Sequence, residues 1–179
     1  MDDTAPPDDL LTDDFATSAA PTPGFEADAV AMARRLFGAL GKVDPRMAVV
    51  DAGGGRRETL SVPCYTGRRD VVTEALRLAL AHFGAVGVAV ISEAWLARSE
   101  GPRDALPADL STYAGREEVL FVAVEHRAID NGATRCWRAS ITRDAAGAPT
   151  LGPFLLTAGG ETSGRMVGLL APTAGGARG

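Results

Sequence analysis

The sequence predicts an α+β domain: a mainly antiparallel sheet of five to seven strands packed with two helices. Three observations carry this. Val86-Gly87-Val88-Ala89-Val90-Ile91 and Val119-Leu120-Phe121-Val122-Ala123-Val124 are apolar at odd and even positions alike. Such runs are too short for buried helices, and a strand without alternation needs cover on both faces. Two other stretches, near 25–41 and 69–83, carry apolar residues at helical spacing. The remaining strand-like stretches follow one another with short turn signals between them, which favours an antiparallel layer over a doubly wound parallel sheet.

Each element has its reason. Residues 1–23 contain Asp2, Asp3, Asp8, Asp9, Asp13 and Asp14 and no basic side chain. Too little apolar surface is present there to offset chain entropy, so a disordered acidic tail is expected, with Leu10, Leu11 and Phe15 as the make-up of a segment that folds on a partner. A single domain is expected over 24–172, with a frayed end at 173–179. Val30, Ala33, Phe37 and Leu40 fall at spacings of three and four, and Gly41 supplies a stop. Met47–Asp51 reads as a short strand broken by Gly53-Gly54-Gly55, and 58–65 as its return, confined to an edge by Pro63. The second helix carries Val72, Leu76, Ala79 or Leu80, and Phe83 on one stripe, with Gly84 after its end.

The central strands are expected over 85–98 and 116–127, separated by a polar loop. Asp130-Asn131-Gly132 is a hairpin signal, because Asn and Gly accept the positive φ that tight turns require. A return strand over 134–142, a turn at Asp144-Ala145-Ala146-Gly147, and short edge strands over 151–157 and 165–170 complete the order. Two helices are enough to cover one face of such a sheet. The other face is then left to a crossing helix, to loops or to a second subunit, since exposed apolar sheet is an interaction surface.

Composition excludes several function classes. The chain has 179 residues, enough for one sizeable core, with 46% hydrophobic residues. The net charge of −5 comes from the tail: six of the 23 acidic residues lie there, leaving 17 against all 18 basic ones, a net of +1 for the body. A nearly neutral body offers no footprint for nucleic acid. Lys42 is the one lysine among the basic residues, so arginine abundance reflects composition rather than phosphate recognition. No segment reaches the ~20 apolar residues of a membrane span. The acidic N-terminus is unlike a secretory leader, and cytoplasmic residence is expected. Cys64 and Cys136 are too few for a disulfide framework, though a bond between them stays open.

Candidate chemistry is sparse. Val49-Val50-Asp51-Ala52-Gly53-Gly54-Gly55 looks like the strand and glycine loop of S-adenosylmethionine methyltransferases, but the next residues look extended, where that motif needs a helix. A glycine-rich hairpin loop is the better reading, and no cofactor is expected. Arg56, Arg57, Arg68 and Arg69 are candidates for an anion site, against a plain reading as solvated surface beside Glu58 and Asp70. A nucleophile would need Cys64 or a serine near His82 or His126, and no nucleophile elbow surrounds any serine. His82 near a helix C-terminus is explained by the helix dipole. Two His and two Cys without paired spacing make a poor metal set, so no metal is expected.

Glu93 and Glu125 both sit where central strands leave the core. Were they to share a pocket lined by Trp95 and Trp137, with His126 beside them, one carboxyl would be pushed upward as acid–base sites require. The alternative is a cross-strand ion pair for Glu93 and tryptophans that complete the core.

Ser92-Glu93-Ala94-Trp95, followed by a Pro-containing loop and Arg116-Glu117-Glu118-Val119-Leu120 with Glu125, resembles small uncharacterised proteins of bacteria and their phages. In these an EAW-bearing strand precedes an R-E-E-V strand. The likeness spans about 85–127; it implies that the two strands pair, and it implies no reaction. The functional expectation is a non-enzymatic accessory or regulatory protein of phage or mobile-element type. Its partner would be another protein or a second copy, reached through Trp95, Trp137, Arg56, Arg57 or the acidic tail. The competing class is a small enzyme or ligand-binding domain using Glu93, Glu125, His126 and the arginines.

Overall fold

In a computed structural model the chain folds as the α+β class anticipates, with strands β1 (Ala16–Thr17), β2 (Arg46–Asp51), β3 (Arg57–Val62), β4 (Gly87–Ala97), β5 (Arg116–His126), β6 (Arg135–Arg143), β7 (Pro149–Leu151) and β8 (Leu155–Thr157), and helices α1 (Phe25–Leu40) and α2 (Arg69–His82). The described residues are 16–17, 24–44, 46–63, 69–97, 114–128, 133–157 and 169–170. The sheet runs β1-β8-β6-β5-β4-β2-β3, with β7 attached to β6, and every pairing is antiparallel.

The two unalternating runs are the middle of this sheet. β4 and β5 pair along all their length, from Gly87 opposite His126 to Ala97 opposite Arg116. Residues in direct register point to the same face. Ile91, Val122 and Trp137 therefore share a row with Met47, while Val90, Ala123 and Cys136 share the next row, on the other face, with Ala48.

The two helices take opposite faces, which settles what covers the second one. α1 lays Phe25, Ala29, Val30, Ala33 and Phe37 over Ala89, Ile91, Leu120, Val122, Val124 and Trp137. α2 lays Leu76 and Leu80 over Ala48, Val50, Val62, Val88 and Val90. A strand residue of either parity is thus removed from water, and each fully buried Val or Ile is worth about 1.5–3 kcal/mol in transfer terms. At the distal end of the α2 face, Ala94, Leu96 and Val119 form a smaller buried group.

Local chemistry fixes the boundaries. Gly41 stops α1 in a left-handed conformation, φ 68°, with its N–H on the Phe37 carbonyl at 2.7 Å. Gly53, Gly54 and Gly55 all take positive φ in the hairpin loop between β2 and β3, which no run of L residues would tolerate. β3, ending before Pro63, is the edge of the sheet. At the 144–147 turn Asp144 Oδ1 accepts from the backbone N–H of Ala146 and of Ala148, both at 2.9 Å.

Two expectations need adjustment, and one open question, whether Cys136 is bonded, is answered. Of the tail 1–23, Ala16–Thr17 are described, and they pair with β8 rather than lying free of the sheet. Leu169–Leu170, the described part of the edge strand expected at 165–170, is not a strand, and Leu169 instead completes the α2-side core. Cys136 is a buried thiol in no disulfide. The Asp130-Asn131-Gly132 turn, Cys64 and most of the 99–115 loop lie outside the described residues, and the β5–β6 hairpin that the turn is expected to close is present.

Candidate functional site

The register separates the two carboxylates that the sequence offers as a pair. Glu93 stands opposite Leu120, on the α1 face, whereas Glu125 stands opposite Val88, on the α2 face. The two rows are five residue steps apart along β5, about 17 Å at ~3.3 Å per residue. Glu93 and Glu125 therefore form no acid–base pair.

Glu125, 2% exposed, is a clasp. Its Oε2 accepts from the backbone N–H of Leu169 at 2.8 Å and of Leu170 at 3.1 Å, and its Oε1 accepts from Thr134 Oγ1 at 3.1 Å. Oε2 holds the 169–170 segment on the sheet, and Oε1 ties the start of β6 to the same carboxylate. His126, the next residue, points to the α1 face. Its Nδ1 accepts from the Ala128 N–H at 3.1 Å, so the ring proton belongs on Nε2, which lies 3.4 Å from Asp51 Oδ2. Asp51 Oδ1 in turn takes the Gly53 N–H at 2.8 Å. Neither nitrogen of His126 is left to accept a substrate's proton.

Asp51, Gly87 and His126 form one row across three strands, and Gly87 has no side chain for a reason. A Cβ there would stand 2.3 Å from His126 Cδ2, so the imidazole can lie across β4 and face Phe25, ring centroids 5.5 Å apart, only if position 87 is bare.

Trp137 is a candidate contact residue in the sequence, and the structure corrects this: it is fully buried, and its indole N–H donates to the carboxylate of Glu26, itself fully buried in the first turn of α1. Arg135 Nε lies 3.3 Å from the same Glu26 oxygen. Arg57 is likewise engaged: its guanidinium pairs with Asp28 of α1 and sits 5.6 Å over the Phe25 ring. Arg56 is exposed in the glycine loop, while Arg68 and the side chain of Arg69 lie outside the described residues, so convergence of the four is not seen. His82 is exposed at the end of α2 beside Phe83.

What stays presented is the distal end of the α1 face, beyond the end of α1. Trp95 is half-buried, and the Arg116 guanidinium lies 4.7 Å over its ring. The Trp95 indole nitrogen is itself buried and has no hydrogen-bond partner among the described residues. Alongside, Arg143 grips Glu118 with two bonds, Nε to Oε2 at 3.0 Å and Nη2 to Oε1 at 2.5 Å. This contact holds the guanidinium of Arg143 above its usual range. Glu93 accepts the Val43 N–H at 2.6 Å, tying the loop after α1 to β4. Burial pushes the Glu93 carboxyl above its ordinary value; the Val43 N–H opposes this and nearby Glu118 adds to it.

The neighbouring register positions on this face, Leu120, Ala139, Glu118 and Arg116, supply neither a histidine nor a thiol. Among the described residues no arginine bonds Glu93 directly; Arg143 binds Glu118 and reaches Glu93 through its field. Among the described residues no group of three His, Cys, Asp or Glu side chains is placed to hold a metal ion. No described helix is long and apolar enough to cross a membrane.

Glu26, Asp28, Glu118 and Arg143 are ties that sequence reasoning misses. A glycine inside an apolar strand is a usable signal for the Gly87–His126 contact. An acid in a first helical turn reads as a dipole partner, and nothing local to Glu26 announces its burial. The chain matches no family model, no curated protein and no solved structure.

Proposed function

We propose that this chain is a non-enzymatic accessory or regulatory protein that acts through protein contacts, with the Trp95–Arg116 corner as its docking point. One observation carries the reading: Trp95 is held half-open under a guanidinium, with a buried indole N–H that no described residue answers. Meanwhile the acid–base groups of the α1-proximal end and of the α2 face are spent on internal ties. Trp and Arg are the side chains that concentrate binding energy at protein interfaces. The fitting partner therefore lays an apolar or aromatic side chain against the open part of the Trp95 ring.

The test is isolation of the tagged full chain from its own cells, comparing wild type with Trp95→Ala and Arg116→Glu. A protein recovered in stoichiometric amount with wild type and lost with both variants, their circular dichroism unchanged, is the expected result. Equal recovery by all three chains overturns the proposal. So does a turnover that disappears in Glu93→Gln while the fold stays intact, which returns the assignment to the enzyme class.

A further inference from the structure

The outward face of α2 leaves large apolar side chains in water. Val71 and Leu78 are each 65% exposed, on the side of the helix opposite Leu76 and Leu80, which are buried against the sheet. They lie seven residues apart, two helical turns, with exposed Ala75 between them and exposed Ala81 one turn further on. These positions form a single apolar stripe along the helix.

Charge is ordered along that stripe. Asp70 and Glu74 flank its N-terminal half, Arg77 and His82 its C-terminal half. A second α2 laid parallel would set like charge on like. Laid antiparallel about a two-fold axis near Ala75, it sets Glu74 against Arg77 of the other copy, Asp70 toward the other copy's basic end, and Val71 against Leu78. The helix dipoles then oppose favourably, and the small side chain of Ala75 lets the backbones approach at the crossing. The Glu74–Arg77 contact within one helix, 3.6 Å and exposed, gives way at little cost to the same pair between copies.

We propose that α2 is a self-docking face, and that two copies of this chain associate through antiparallel α2 helices. This surface lies on the opposite side of the sheet from Trp95, so the two contacts are compatible in one assembly. With 14 residues α2 is about 21 Å long, so a helix pair alone falls at or below the ~1,200 Å² low end of specific interfaces. The association is therefore reversible and concentration-dependent.

Sedimentation velocity on the full chain, from low micromolar to near-millimolar concentration, tests it. Wild type is expected to shift from monomer to dimer. Leu78→Glu stays monomeric across the range, as do Glu74→Arg and Arg77→Glu when each is run alone. Mixed in equal amounts, the two charge variants dimerise again, because every contact between position 74 of one copy and position 77 of the other then joins opposite charges. A wild-type chain that remains monomeric throughout overturns the inference, and so does a dimer that persists in Leu78→Glu or fails to return on mixing. None of these outcomes bears on Trp95, whose test is separate.

Discussion

The two ends of the α1 face are built from the same three residue types and use them in opposite ways. At one end Trp137, Glu26 and Arg135 meet under the first turn of α1, with the tryptophan and the glutamate wholly out of water. At the other, Trp95, Glu118, Arg116 and Arg143 meet where α1 no longer covers the sheet, and the indole N–H finds no acceptor among the described residues. Cover decides the difference. A carboxylate under a helix must be fully bonded, so it becomes structure. A carboxylate–arginine pair at the open end is screened by water and contributes little to stability.

The comparison breaks most visibly at Glu26. Replacing it with Ala strands the buried Trp137 N–H and takes a carboxylate from the half-buried Arg135 guanidinium, and a loss of about 3–5 kcal/mol is expected by urea unfolding. A loss under about 1 kcal/mol would place Glu26 outside the structural network. Next in size is Gly87→Ala, which drives a methyl into the His126 ring. A cost of about 1–3 kcal/mol is expected. Most of it should vanish in the Gly87→Ala/His126→Ala double variant when compared with His126→Ala alone, a coupling that a double-mutant cycle reads directly.

At the open end the effects shrink. Glu93 has its carboxyl raised by burial from an ordinary 4.5, so the folded chain holds that proton to higher pH than the unfolded chain does. Stability from this group is complete below the unfolded value and declines as pH rises through the folded one. Glu93→Gln removes the slope while keeping an acceptor for Val43. Thermal melts of the two proteins should converge near pH 4, with the variant gaining on wild type toward neutrality. Smallest is Arg116→Ala, which gives up about 0.5–1 kcal/mol of ring stacking and leaves the fold standing.

Much of this fold was legible because its strongest signals are local. Runs such as Val119–Val124, unable to leave either face wet, announced central strands, and the three-and-four spacing of Val30, Ala33 and Phe37 announced α1. Gly41 and Gly53-Gly54-Gly55 marked stops whose positive φ the structure bears out. The site was less legible because it depends on register and distance. A strand period of two puts Glu93 and Glu125 on opposite faces, and no local pattern reveals the pairing that fixes this. The two tryptophans look equivalent in sequence. What makes Trp137 core is a glutamate 111 residues away, and what leaves Trp95 open is where a helix happens to end.

Glu125 carries a consequence for synthesis. A nascent chain grown to Thr157 already contains every described strand and both helices, yet it lacks Leu169, whose side chain the α2-side core needs and whose N–H shares a carboxylate oxygen with that of Leu170. Until those late residues clear the ribosome, a buried acid waits for two of its donors. Closure of that hemisphere therefore requires those late residues, and an internal carboxylate is the catch that holds it shut.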